Sequence, residues 1–261
     1  MDNHSDNIVL QTKKLGIDFG GLTAVNDMNL IVHENEIAGL IGPNGAGKTT
    51  VFNLLTNVYN PTRGSILLCG KETKGLKTNQ INHLGIARTF QNIRLFKDMP
   101  VIDNVMVAMH HDLHYNLFTG LFRLPRYFKE EKAAKERALE LLSIFHMEGM
   151  ANDLAGSLPY GAQRRLEIVR ALATNPAILL LDEPAAGMNP SETAELMENI
   201  RKIRDTFHIA ILLIEHDMKL VMGICEHITV MSFGKTIAEG TPDEIKNDPV
   251  VIEAYLGKKG A

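Results

Sequence analysis

The chain has 261 residues, of which 45% are hydrophobic, which is enough for one large domain or for a core with a subdomain. Its net charge of −4 and its pI near 6.2 argue against a broad nucleic-acid-binding surface. The two cysteines, Cys69 and Cys225, form no close pair of the metal-binding or redox kind, so a reduced cytoplasmic setting suits them.

No targeting or membrane-spanning segment is expected. Residues 1–7 are polar and acidic, unlike a signal peptide. The most apolar stretches, around Ile178–Leu181 and Ile209–Ile214, are far shorter than the roughly 18 residues of a membrane span. We therefore expect that the chain does not cross a bilayer by itself, although it can dock on a membrane protein.

The first predicted elements are antiparallel strands and a phosphate-binding turn. Residues 8–35 alternate in polarity and contain Gly20-Gly21, which predicts antiparallel strands in an edge layer. Glu36–Ile41 then predicts a short apolar strand, and a helical spacing begins at Val51. Between them lies a run that fits the pattern G-x-x-x-x-G-K-[ST]: Gly42, Pro43, Asn44, Gly45, Ala46, Gly47, Lys48, Thr49 and Thr50.

This turn indicates that the chain binds a nucleoside triphosphate. A glycine-rich turn between a strand and a helix directs several backbone N–H groups at one point, where the helix N-terminus adds positive charge. The Lys48 ammonium can reach the β- and γ-phosphates, and the Thr49 hydroxyl can ligate Mg²⁺.

The middle of the chain alternates short Val, Ile and Leu runs with helical stretches, which predicts a mostly parallel sheet covered by helices. One strand-like run, Gly85–Phe90, is followed by Gln91, whose amide oxygen can contact Mg²⁺ or water. From about residue 100 to 170 the pattern becomes helical, with a helix start at Pro100–Asn104 and a long helix over Tyr127–Phe145.

Residues 110–128 predict an elaborated loop with short helices between those two helices. His110, His111 and His114 lie in this segment, but no carboxylate or thiol pattern accompanies them. We therefore expect no metal site there.

Two carboxylates end the next apolar strand. Ala177–Asp182 is almost wholly apolar, and Glu183 follows it directly. Asp182 can hold Mg²⁺ through water, and Glu183 is placed to orient and deprotonate the attacking water. The strand Ile209–Ile214 leads to His216, which reaches the same sheet edge, where ligands gather in open α/β sheets.

Together these motifs resemble the ATPase subunit of an ABC transporter, and their order and spacing cover nearly the whole chain. The resemblance implies the α/β class: a P-loop NTPase ABC cassette with a RecA-like core, an N-terminal antiparallel β subdomain and an inserted helical subdomain. A single ABC ATPase domain over residues 1–261 would have its nucleotide-binding core at about 8–95 and 170–240. The helical subdomain would take about 96–169, and a C-terminal tail 241–261.

The same resemblance implies ATP and Mg²⁺ as cofactors and gives each motif a role. Phe19 would stack on the adenine. The other assignments are Gln91 as the Q-loop glutamine, Asp182 as the Walker B aspartate, Glu183 as the catalytic glutamate and His216 as the switch histidine. Thr49, Gln91 and Asp182 would be the metal ligands.

The signature motif departs from the usual L-S-G-G-Q. In the matching run Leu158–Gln163, Pro159 replaces serine, Tyr160 replaces glycine and Ala162 replaces glutamine. Gly161 and the following helix are retained, so a helix N-terminus can still face a phosphate. Because the serine hydroxyl contact to the γ-phosphate cannot form, we expect a heterodimer with a second, consensus-signature ABC ATPase subunit, with a homodimer as the alternative.

A finer resemblance indicates the branched-chain amino acid importer ATPases. It rests on Phe19–Val25, Gly85–Gln91, residues 110–128, Leu158–Glu167, Ala238–Pro242 and Ala254–Gly257. It implies membrane-spanning permease subunits as partners, a periplasmic binding protein acting indirectly, no nucleic acid, and a peripheral position on the cytoplasmic face of the inner membrane. The leading hypothesis is an ATP-hydrolysing subunit that energises the import of leucine, isoleucine and valine.

Other functions stay open. The ATPases of lipopolysaccharide export and of urea or short-amide transport share much of this pattern, and an ATPase subunit never touches the transported molecule. A soluble ABC ATPase acting on ribosomes or DNA usually carries two cassettes or long coiled-coil insertions and a more basic surface. An inert interaction module conflicts with the intact Lys48, Asp182, Glu183 and His216.

Overall fold

The computed structural model describes residues 7–109 and 125–256. His110, His111, His114 and most of the predicted loop over 110–128 therefore lie outside the described residues, as does Gly257. The chain divides into two compact units, one formed by residues up to Gln91 and from Pro176 onward, the other by Asn92–Asn175.

The first unit begins with an antiparallel sheet, which confirms the strands predicted over residues 8–35. Its strands are β1 (Ile8–Phe19), β2 (Leu22–His33), β4 (Arg63–Leu68) and β5 (Lys71–Glu72), in the order β2-β1-β4-β5. Gly20 and Gly21 turn the chain between β1 and β2 at φ values of 51° and 94°, which glycine adopts without steric cost.

A mostly parallel sheet forms the rest of this unit, as the apolar runs predict. Its strands are β3 (Ile37–Ile41), β6 (Ile86–Arg88), β7 (Ile178–Asp182), β8 (Ala210–Ile214), β9 (His227–Ser232) and β10 (Lys235–Gly240). The order is β10-β9-β3-β8-β7-β6, with only β10 antiparallel to its neighbour among these described strands. Every residue of β3, β7 and β8 is buried, as in strands covered on both faces. The segments that follow β3, β6, β7 and β8 consequently meet at one edge of the sheet.

The helices lie between these strands and in the second unit. In chain order they are α1 (Lys48–Leu55), α2 (Thr78–His83), α3 (Val101–Ala108), α4 (Pro125–Ser143), α5 (Tyr160–Leu172), α6 (Pro190–Phe207), α7 (Met218–Ile224), α8 (Pro242–Asn247) and α9 (Pro249–Leu256). Within the described ranges, none of them combines the length and apolar character needed to cross a bilayer.

Helix α1 ties the phosphate-binding turn to the core of the first unit. Phe52 and Leu55 on its inner face are fully buried, in one cluster with Leu10 and Met28 of the antiparallel sheet and Leu40 of β3. Burying each such side chain contributes about 1.5–3 kcal/mol. The turn before α1 is thus fixed to both sheets.

The second unit is helical, as predicted from about residue 100 onward, with α3, α4 and α5 packed on one another. Asn104, fully buried in α3, organises the loop before it. Its Oδ1 accepts a hydrogen bond from the Phe96 N–H at 2.9 Å, and its Nδ2 donates to the carbonyls of Phe96 at 3.0 Å and Pro100 at 3.1 Å. A single side chain therefore satisfies backbone groups that a loop cannot pair by itself.

Candidate nucleotide-binding and hydrolysis site

The predicted phosphate-binding turn joins β3 to α1. Gly45 and Gly47 have φ values of 79° and 102°, in the left-handed region, and Gly47 is the N-cap of α1. A Cβ on Gly47 would lie only 2.8 Å from the Ala24 carbonyl oxygen, so a larger residue has no room there. Turns with such left-handed residues orient successive N–H groups into an anion-binding concavity.

Lys48 is held in place by its own turn. Its side chain is 6% exposed, and its Nζ donates to the carbonyls of Gly42 at 2.6 Å and Pro43 at 3.0 Å. Burial lowers the pKa of Lys48, while the nearby Glu183 and Asp182 carboxylates oppose that shift. A buried ammonium whose hydrogen bonds go to neutral carbonyls is a fitting partner for a phosphate.

Asp182 ends β7 and forms a buried ion pair that the sequence analysis missed. Its Oδ2 lies 2.8 Å from an Arg88 nitrogen, with the two side chains 4% and 7% exposed. Arg88 also donates to Asn53 Oδ1 at 2.7 Å, and its guanidinium lies over the rings of Phe52 and Phe90. One cation thus links α1, β6 and β7 at the predicted metal ligand.

Glu183, directly after Asp182, is in contact with two other predicted site residues, His216 and Gln91. Its Oε1 lies 2.8 Å from His216 Nε2, and its Oε2 accepts a hydrogen bond from Gln91 Nε2 at 3.0 Å. Its backbone has a φ of 49°, and its N–H donates to the Ile214 carbonyl at 2.9 Å. A left-handed φ is uncommon for a residue other than glycine and is typical of functional turns.

Glu215, between β8 and His216, is a second buried carboxylate beside this group. Its Oε1 accepts from the Ala185 N–H at 2.8 Å, and its Oε2 from the N–H groups of His216 at 2.9 Å and Asp217 at 3.4 Å. Burial raises the pKa of Glu215 and the Glu183 charge adds to the rise, while the three backbone hydrogen bonds work against it.

Phe19, the predicted adenine contact, lies at the tip of the β1–β2 hairpin. Its ring is 42% exposed and stands edge-on to the Tyr59 ring, with centroids 5.2 Å apart and an interplanar angle of 75°. The neighbouring Asp18 carboxylate accepts hydrogen bonds from Thr23 and Arg63, which braces the hairpin. An exposed, braced aromatic face is suited to stacking on a base.

The remaining predicted residues occupy three places. Thr49 and Thr50 are in the first turn of α1, where Thr49 is exposed. Gly161 belongs to the helical unit, where it is buried as the second residue of α5, and the N-cap Pro159 supplies no side-chain acceptor. No group of three or more His, Cys, Asp and Glu side chains in the described chain could hold a metal ion. Mg²⁺ commonly binds one or two carboxylates together with substrate phosphates, so the few ligands expected here fit that mode.

Four residues near the site were missed from the sequence, namely Arg88, Glu215, Tyr59 and Tyr255. Arg88 and Glu215 carried a usable signal, because each is a charged residue at the end of an apolar strand. Tyr255 gave none. It lies in α9, where burial raises its pKa and a hydrogen bond with the Gly42 backbone opposes that rise. A C-terminal helix therefore contacts the phosphate-binding turn.

Two family models match the chain. The model described as ABC transporter matches residues 25–186, and the model described as branched-chain amino acid ATP-binding cassette transporter matches residues 235–261. The second match includes Tyr255 and the strand β10. Together they cover both the phosphate-binding turn and the segment packed beside it.

Relatives and solved structures agree with these matches. The chain is 50% identical to the high-affinity branched-chain amino acid transport ATP-binding protein BraF of Pseudomonas aeruginosa, over 96% of this chain and 98% of the relative. Identity to the Escherichia coli protein LivG, of the same description, is 51% over the same shares. The lipopolysaccharide export system ATP-binding protein LptB of Acidithiobacillus ferridurans is 34% identical, over 95% and 97%. The crystal structure of the ADP conformation of MJ1267, an ATP-binding cassette of an ABC transporter, aligns with a TM-score of 0.83 and 29% identity, over 96% of this chain and 99% of that one.

Proposed function

The chain belongs to the ABC transporter family as one of its ATP-binding, ATP-hydrolysing domains, and we propose that it energises the import of branched-chain amino acids. The proposal that the chain hydrolyses ATP with Glu183 as the general base rests on one observation. The side chains of Gln91 and His216 both contact the Glu183 carboxylate. A general base needs a fixed position next to the attacking water, and two side chains bound to one carboxylate supply it.

In the proposed mechanism one group of predicted residues binds ATP itself. Phe19 stacks on the adenine, and the backbone N–H groups of the glycine turn bind the phosphates. Lys48 exchanges the Gly42 and Pro43 carbonyls for phosphate oxygens, a stronger, charge-assisted partner.

Glu183 accepts the proton of the attacking water in this mechanism, while His216 and Gln91 hold its carboxylate in orientation. Thr49, Gln91 and Asp182 would hold Mg²⁺, which neutralises charge on the phosphate oxygens. Asp182 has room for that role, because its Oδ2 is bound by Arg88 and its Oδ1 has no hydrogen bond among the described residues. One oxygen of the carboxylate would thus bind Arg88, and the other would remain available to hold Mg²⁺.

The transported substrate is inferred from the relatives. Those with about half of their residues identical are named for branched-chain amino acid transport, whereas the lipopolysaccharide export relative is 34% identical. The C-terminal match over residues 235–261 also carries the branched-chain amino acid description. Both observations favour import of leucine, isoleucine and valine over the export function.

The proposed partners are membrane-spanning permease subunits, a second ABC ATPase subunit and, indirectly, a periplasmic binding protein. The chain would then act at the cytoplasmic face of the inner membrane. The altered signature at Pro159, Tyr160 and Ala162 supports a heterodimer, because a second cassette can supply the serine that this chain lacks.

Uptake in cells tests this function. In cells that carry the variant in place of the unmodified chain, Glu183→Gln should abolish ATP-driven uptake of labelled leucine, isoleucine and valine. Glu198→Gln, an exposed substitution of the same kind in α6, should leave it unchanged. Uptake of all three amino acids that survives loss of the chain would refute the assignment of substrate, and normal ATP turnover in the purified Glu183→Gln protein would refute the assignment of the base.

A further inference from the structure

Glu215 is a buried carboxylate next to the site and has no role in the mechanism proposed above. It is 4% exposed, and its two carboxylate oxygens accept three hydrogen bonds, all from backbone N–H groups in turns. One donor, Ala185, lies two residues after Glu183. The other two, His216 and Asp217, form the turn that carries the histidine. The carboxylate therefore joins two turns that are 30 residues apart in the chain.

The same two turns are also in contact through the side chains of Glu183 and His216. The strands β7 and β8 run parallel and end at the paired residues Asp182 and Ile214, so Glu183 and Glu215 directly follow the ends of two adjacent strands. Glu183 faces the site and touches His216 Nε2, whereas Glu215 is buried behind it and holds the backbone of both turns. The distance between the general base and the histidine is thus fixed from the inside.

From this geometry, and resting on the proposed function, we propose that Glu215 is the positioning residue that locks the turn of Glu183 to the turn of His216. It acts through the two residues and does not touch ATP. A carboxylate suits this role because all three groups that it binds are donors. An amide of the same shape offers one accepting oxygen and a donating NH₂ group, so at least one of the two turns would face a donor instead of an acceptor.

The test is Glu215→Gln in the full chain, which keeps the volume of the side chain and replaces one accepting oxygen by a donating NH₂ group. We expect kcat to fall about ten-fold, the effect of roughly 1.4 kcal/mol on the transition state. The Kd for ATP should stay within about two-fold, because the hydrogen-bond partners of Glu215, namely Ala185, His216 and Asp217, are not among the residues proposed to bind the nucleotide. The ring resonances of His216 in the nucleotide-free protein, identified by their loss in His216→Ala, should shift or broaden.

A double-mutant cycle separates positioning from mere stability. If Glu215 sets the position of His216 relative to Glu183, Glu215→Gln should cost less turnover in a His216→Ala background than in the unmodified chain. Glu244→Gln is the matched control. That carboxylate also accepts a backbone hydrogen bond, from the Thr241 N–H at 2.8 Å, but it caps α8. It should lower stability and leave both kcat and the His216 resonances unchanged.

Two results would overturn the role of Glu215. In the first, Glu183→Gln loses all turnover, while Glu215→Gln keeps the turnover and the His216 resonances of the unmodified protein. The other is a pair of losses, for Glu215→Gln and His216→Ala, that simply add. Retained turnover in Glu183→Gln would instead refute the proposed base, and the His216 resonances alone would then decide whether Glu215 fixes the two turns.

Discussion

The Arg88 guanidinium and the Asp182 carboxylate form a buried ion pair with a separation of 2.8 Å, placed where the sequence predicts a metal ligand. Two aromatic rings and Asn53 hold the arginine from its other sides. The protein therefore carries its own counter-charge for Asp182.

Removing Arg88 should leave a buried charge without a partner. We expect Arg88→Met to lower the free energy of unfolding by about 3–5 kcal/mol, the cost of breaking a buried pair from one side. Mg²⁺ with ADP should stabilise this variant more than the unmodified protein, because the metal would replace the missing cation. Denaturant unfolding with and without the ligand measures both effects. Arg137→Met, which breaks an exposed pair with Glu140, is the control and should change little.

The motifs of the site could be predicted from the sequence, whereas the contacts that hold them in place could not. The phosphate-binding turn and the two consecutive carboxylates at the end of β7 are local patterns, and the parallel sheet then brings them to one edge. Arg88 and Asp182 are 94 residues apart, and Ala185 and Glu215 are 30 apart. Their pairing depends on the order of the strands in the sheet, which no local spacing encodes. The hydrogen bonds of Lys48 to its own turn were also missed, because the prediction considered only its phosphate contacts.

Lys48 gives the site a dependence on pH. Its pKa in the folded chain lies below the ordinary 10.5. Between the two values the unfolded chain binds more protons, so this group makes the free energy of unfolding increase as pH rises through that window. Phosphates favour the charged form, so nucleotide binding in the same window should take up a proton. Calorimetry of ADP binding in alkaline buffers of different ionisation enthalpy measures that uptake. Lys48→Met should abolish it, and an unchanged uptake would mean that another group accepts the proton.

Glu183→Gln should separate binding from hydrolysis. The amide keeps the shape of the side chain, and Asp182 stays available, so ATP should bind with nearly normal affinity. Turnover should fall by about 10²–10⁴-fold, the usual contribution of a general base. A filter-binding assay with labelled ATP and a phosphate-release assay on one preparation give the two quantities. Equal rates of phosphate release by the variant and the unmodified chain would refute the assignment of Glu183 as the general base.

Phe19→Ala should weaken nucleotide binding without altering the chemistry. A stacked aromatic contact contributes about 0.5–1.5 kcal/mol beyond its buried area, which corresponds to a rise of about two- to twelve-fold in Kd. Because stacking is largely blind to the base, GTP should bind at modest cost. Leu22→Ala at the same hairpin tip, where Leu22 is 70% exposed, is the control. Titrations in which Phe19→Ala keeps its affinity would place the adenine elsewhere.

The residues at the start of α5 should determine which cassette pairs with this chain. Pro159 is the N-cap there and has no side-chain acceptor or donor, and the Tyr160 ring lies against the Arg164 guanidinium at 5.7 Å. Two copies of this chain would form two nucleotide sites that both lack the signature serine, whereas a consensus partner would complete one of them.

Losing a hydrogen bond to a charged phosphate costs about 1.5–3 kcal/mol, enough to weaken closure about ten- to hundred-fold. We therefore expect the Glu183→Gln protein with ATP to sediment mostly as a monomer alone and as a dimer with a partner cassette. Introducing Pro159→Ser and Tyr160→Gly should promote the homodimer, because the serine restores the phosphate contact at both sites. A tight homodimer formed by the chain alone, and unaffected by those two substitutions, would show that the altered signature does not select the partner.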